Sequence, residues 1–98
     1  MRDPEVLAAV KQTLAALVER SPGRAIEVRI PPYAAVQCGA GPTHTRGTPA
    51  NVIEMDANTW LALANGERTW ADAMSQGLIS ASGARADLTD LLPIRINP

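Results

Sequence analysis

Few residues in this chain are equipped for chemistry. His44 is its sole histidine and Cys38 its sole cysteine, six positions apart. Across a turn, that spacing allows a nucleophile–base dyad. Cys38, however, falls on the same side of an alternating stretch as Val36, which suits an inert, buried thiol. A metal site needs three or four ligands, and this pair supplies two at best, so no metal is expected. Thr43-His44-Thr45-Arg46-Gly47 gathers hydroxyls, an imidazole and a guanidinium in one loop. Thr43, His44, Thr45 and Arg46 can together hold a phosphate or carboxylate. The same side chains can instead satisfy local backbone and a neighbouring Asp or Glu. GAGPTHTRG is interrupted by proline and lacks a following Lys-Ser/Thr pair, so it is not a nucleotide phosphate loop. No nucleophile, base and orienting group can be assembled from these residues. The chain reads as a non-enzyme with no catalytic residues and no cofactor.

The remaining distinctive side chains are apolar. Trp60 and Trp70 carry most of the aromatic mass of a chain with no Phe and one Tyr. Trp60, Leu61 and Ala64, with Leu63 beside them, form a stripe on one expected helix. Trp70, Ala73 and Met74 form another at i, i+3, i+4. The short turn between them lets both stripes face one interior. Burying each ring contributes a few kcal/mol, so core anchoring is their first role. Lining a pocket is a compatible second role, and Met55 and Met74 suit a deformable apolar wall.

The elements that position these residues follow from local signals. Asp3-Pro4-Glu5 combines an N-cap, a proline at the first helical position and an acid at the positive dipole end. The helix it starts runs to about Arg20, with Val6, Leu7, Val10, Leu14, Leu17 and Val18 on one stripe, and Ser21-Pro22-Gly23 ends it. AIEVRI (25–30) alternates as a half-buried strand. YAAVQC (33–38) is a second strand after a tight PPY connection. GAGPTHTRGTP (39–49) is a loop by composition, and NVIEM (51–55) is a third strand. Asp56 caps ANTWLALAN, which Asn65-Gly66 closes. Thr69 to Asp72 resembles a capping box for a second short helix ending at Gln76-Gly77. LISAS (78–82) is a short strand. Asp87 caps a last short helix, DLTDLL, which Pro93 ends, and IRIN is a frayed tail or one more strand. Strands in a run with helices gathered around them indicate an α+β fold.

With 98 residues the chain is expected to be a single domain, 1–98, with a modest core. Its formal net charge of −1, without a basic run, argues against a nucleic-acid partner. A single cysteine forbids an internal disulfide and fits the reducing cytoplasm. No run of about 18 apolar residues exists, so no membrane span is expected, and the acids in MRDPEVLAAV do not read as a secretory signal.

The element order and residues 56–92 resemble the sterol carrier protein type 2 superfamily. The resemblance is carried by Asp56, Leu61, Leu63 and Asn65-Gly66. It continues through Ala73-Met74, Gly77-Leu78-Ile79, Ser82-Gly83, Ala86-Asp87-Leu88 and Leu91-Leu92. RIPPYAAVQCGAGPTHTRGTPANVIEMD (29–56) is similar to the actinobacterial subgroup. The resemblance implies a small, mostly antiparallel sheet of about four or five strands, covered by an N-terminal helix and short helices. It also implies non-covalent binding or transfer of fatty acyl chains, acyl-CoA, sterols or phospholipids. On it, Val36, Ile53, Met55, Trp60, Trp70 and Met74 become the candidate lipid-binding residues, and Thr43, His44, Thr45 and Arg46 the candidate head-group site. The family's usual chain continues into a further helix, whereas this one stops at IRINP. That favours an alternative: a solid-core interaction module acting as a homodimer or on a metabolic enzyme, with AIEVRI as an exposed edge for pairing.

Overall fold

The computed structural model describes residues 3–41 and 50–94. Asp3 opens helix α1 (Pro4–Arg20), its carboxylate accepting from the Glu5 and Val6 amides. Val10, Thr13, Leu14 and Leu17 face inward at three- and four-residue spacings. The Ser21 amide closes the helix on the Leu17 carbonyl. The Ser21 carbonyl then accepts from Gly39, and the Gly39 carbonyl accepts from Ala25. Gly23 packs directly on that Gly39 carbonyl, at φ 141°, where a Cβ would collide with it.

Four strands form one sheet in the order β2-β1-β3-β4. Strands β1 (Ile26–Ile30) and β2 (Ala34–Cys38) make a hairpin with Val28 opposite Val36 and Ile26 opposite Cys38. Strand β3 (Val52–Glu54) lies parallel to β1 on its other side, and β4 (Ser80–Ser82) is antiparallel to β3. Two of the three pairings are therefore antiparallel, and the central one is parallel. The registers explain this. Cys38 leaves β2 opposite Ile26, and Val52 enters β3 opposite Glu27. The chain thus re-enters the sheet at the same end of β1 that it left, so β3 runs parallel to β1. One expectation is corrected here. AIEVRI is not an exposed edge, because β1 is paired on both sides and the edges are β2 and β4.

Alternation decides the two faces of the sheet. Ile26, Val28, Ile30 and Ile53 point into a core shared with Leu14, Leu17, Trp60, Leu63 and Leu88. Glu27 and Arg29 form an ion pair on the opposite face. Helix α1 packs on β2 and on helix α2 (Ala57–Asn65). The Asp56 carboxylate caps α2 through the Thr59 amide at 2.7 Å, and Gly66 ends it in the left-handed region at φ 81°. Helix α3 (Trp70–Ser75) begins with the Thr69 hydroxyl accepting from the Asp72 amide.

Three expected elements are clearly shorter than their sequence signals, NVIEM pairing only over Val52–Glu54. LISAS pairs only from Ser80, because the Leu78 amide is spent on the Ala73 carbonyl in closing α3. DLTDLL forms one 3-10 turn, Thr89–Leu91, instead of a short α-helix. The Asp87 carboxylate bonds the Thr89 amide and hydroxyl, an Asx turn rather than an α-helical cap. Leu92, preceding Pro93, is extended at ψ 148°, which leaves room for a single turn. The IRIN expectation falls outside the described residues beyond Ile94.

Candidate functional site

A half-open cleft of about 770 Å³ lies at the corner between α2 and α3. Its walls come from three stretches of the chain. The end of α2 supplies Leu63, Ala64, Asn65 and Gly66; the corner supplies Arg68, Thr69 and Trp70; the C-terminal stretch supplies Thr89, Leu92, Pro93 and Ile94. Its apolar floor joins the core, since Leu63 and Ala64 are fully buried and Trp70 and Ile94 nearly so.

The walls are held by backbone. The Glu67 amide bonds the Ala62 carbonyl at 2.9 Å, which folds the chain back over the end of α2. The Ile94 amide donates to the Ala64 carbonyl at 2.9 Å, and Arg20 Nη1 donates to the Pro93 carbonyl at 3.1 Å. The C-terminal wall is therefore tied both to α2 and to the end of α1. Gly66 faces it, with Pro93 Cβ 3.5 Å from the place a Cβ would take.

Polar side chains stand on both walls of the cleft, Asn65, Arg68 and Thr69 on the α2–α3 side and Thr89 on the C-terminal side. Arg68 Nη1 donates to Asp72 Oδ2 at 2.9 Å and to Gln76 Oε1 at 3.0 Å. Gln76 Nε2 donates to Asp72 Oδ1 at 3.2 Å, closing the triangle. Asp72 and Gln76 do not line the cleft, while Arg68 and Thr69 do.

The residues singled out from sequence are dispersed. Trp70 lines the cleft. Ile53, Met55 and Trp60 lie in the packed core, at 0, 4 and 0% exposure. Trp60 donates its indole N–H to the Thr13 hydroxyl at 2.8 Å, so its polar edge is satisfied inside. Val36 packs on the core from β2, and Met74 is exposed on the outer side of α3. Thr43, His44, Thr45 and Arg46 lie outside the described residues. Cys38 is fully buried, and desolvation pushes its thiol pKa up, which keeps it a neutral thiol near pH 7.

Sequence reasoning passed over Arg68. Its signal was available in N-G-E-R-T-W: a C-cap glycine, an N-cap threonine and a tryptophan bracket one cation in a tight helix–helix corner. Leu92 to Ile94 gave no comparable signal, because their contact with α2 is long-range.

Among the described residues, no group of three or more His, Cys, Asp or Glu side chains is placed to hold a metal ion. No helix there is long and apolar enough to cross a membrane. A family model described as bacterial SCP ortholog matches residues 2–94. No curated protein matches the chain.

Proposed function

The chain belongs to the bacterial SCP ortholog family, a sterol-carrier-protein-like group, and from that membership we propose that it binds and carries an apolar, chain-bearing ligand without covalent chemistry. The observation that carries this reading is the corner cleft. Its volume of about 770 Å³ falls in the range of small-molecule sites, roughly 300–1,000 Å³. Its composition, an apolar floor with a few polar groups on the walls, also suits such a site. The ligand's chain lies against Trp70, Leu92 and Pro93, where it replaces water on apolar surface. Ile53, Met55 and Trp60 support that floor from the core. The carrier acts in the cytoplasm, in keeping with a lone, buried cysteine.

The test uses the two indoles as separate reporters. Delipidated protein is titrated with dodecanol while tryptophan emission is followed in wild type, Trp60→Phe and Trp70→Phe. A saturable shift is expected in wild type and Trp60→Phe, and its loss in Trp70→Phe. A response confined to Trp60 would place the ligand in the interior instead. A flat titration in all three overturns the carrier reading and favours an interaction module pairing through the β2 or β4 edge.

A further inference from the structure

We infer that Arg68 sets the specificity of this cleft, selecting a single-chain amphiphile with a carboxylate head over its uncharged counterpart; the inference rests on the carrier reading above. A guanidinium has five N–H donors in a fixed plane. Arg68 is engaged, among the described residues, through Nη1 alone, by Asp72 and Gln76. Among the described residues, Nε and Nη2 make no hydrogen bond. These two nitrogens form the side edge of the guanidinium, whose parallel donors match the two oxygens of a carboxylate.

The position of that edge is fixed in advance. The Arg68 amide is bonded to the Ala62 carbonyl at 3.3 Å, so the stem starts from a closed helix end. The far nitrogen is clamped by a pair of side chains that lie outside the cleft while Arg68 itself lines it. Clamping lowers the side-chain entropy lost when a ligand binds. Thr69 adds a donor, since its hydroxyl accepts from the Asp72 amide at 3.1 Å and keeps its own proton for a second partner.

Asp72 offsets part of the Arg68 charge, and Glu67 is exposed next door. Long-range attraction is therefore weak, and discrimination depends on the directed pair of hydrogen bonds. A hydroxyl head group fills one of those donors, whereas a carboxylate fills both. At a site whose arginine side chain is 31% exposed, this preference is expected to be about tenfold in affinity.

The experiment compares laurate with dodecanol at pH 8 in wild type, Arg68→Gln and Arg68→Lys, using Trp70 emission. Laurate is expected to bind wild type about tenfold more tightly. Arg68→Gln should abolish that preference, with laurate falling to the affinity of dodecanol, while saturable dodecanol binding at somewhat reduced affinity shows the cleft still present. Arg68→Lys, which keeps the charge but not the fork, should retain only part of the preference. Equal binding of the two ligands by wild type, or a preference that survives Arg68→Gln, overturns the assignment to Arg68 and leaves the carrier reading standing. Binding of neither ligand removes both.

Discussion

Thr13→Val tests whether Trp60 is a core anchor held by its polar edge. In the native chain the Trp60 indole N–H donates to Thr13 Oγ1 at 2.8 Å, and both residues are buried. The Thr13 hydroxyl spends its own proton on the Ala9 carbonyl at 2.7 Å, with the Val10 carbonyl at 3.0 Å. Valine has the same shape and nearly the same helix propensity, so volume and backbone are preserved. What changes is the indole N–H, which is left without an acceptor in a dry interior. An orphaned buried donor costs about 1–3 kcal/mol. The middle of that range, about 2 kcal/mol, lowers Tm by roughly 10 °C in a domain of this size. Thr13→Ser keeps the acceptor and loses one methyl, at a cost below about 1 kcal/mol. The assay is urea unfolding, read as a fall in midpoint at constant m. A double-mutant cycle with Trp60→Phe isolates the pair, and the coupling should be about 1–2 kcal/mol. If Thr13→Val matched Thr13→Ser and the coupling were zero, the hydrogen bond would carry no stability and this account of Trp60 would fail.

Two further outcomes follow from buried polar groups. Asn51 donates to the Ala25 carbonyl and accepts from the Arg85 amide, both at 2.8 Å; Asn51→Ala should cost roughly 2–3 kcal/mol in urea unfolding. Asn51→Asp should not rescue it, because the second carboxylate oxygen would face the Ala25 carbonyl. For Cys38, burial raises the folded-state pKa, so the folded chain holds the thiol proton more tightly than the unfolded chain. The resulting stability is fully present below the unfolded thiol pKa of about 8.5 and is lost as pH rises through the folded pKa. Thermal melts from pH 7 to 10 should show an alkaline fall in Tm that is shallower in Cys38→Ala, whatever the variant's baseline.

The elements whose signals are local were legible in the sequence. Asp3, Asp56 and Thr69 cap the helices they were expected to cap, because a cap is a bond within two or three residues. The alternation of Ile26, Val28 and Ile30 identified the buried face of β1. Alternation says nothing about which neighbours a strand takes, so the central place of β1 was not legible. That place is fixed by registers between distant segments. The last helix was overestimated because Asp87 was read as an α-cap, whereas an Asx turn uses the same carboxylate and the same downstream amide. In the candidate site, Trp70 could be found from its type and spacing. Arg68, two residues before Trp70, was readable from N-G-E-R-T-W and was passed over. Pro93–Ile94 could not be joined to Trp70, since only tertiary contact between α2 and the C-terminal stretch sets them across the cleft.

The cleft and the fold share their fastenings. The wall formed by Pro93 and Ile94 is tied to Ala64 on α2 and to Arg20 at the end of α1. That end of α1 is continuous with Ser21, whose carbonyl holds Gly39 beyond β2. The opposite wall, from Gly66 to Trp70, is formed as two helices end and begin within a few residues. An apolar chain seated between the walls contacts segments that are adjacent only when all of these ties are made. Such a ligand binds the folded chain and not the unfolded one, so its affinity adds directly to folding stability. The coupling also runs the other way. A substitution that loosens the Arg20–Pro93 tie weakens binding without touching the ligand, because part of the binding energy must first re-form the wall. The side on which Arg68 stands is independent of that tie, since its clamp is local to α3. On the proposed carrier reading, chain binding and head-group recognition thus rest on separable parts of one corner.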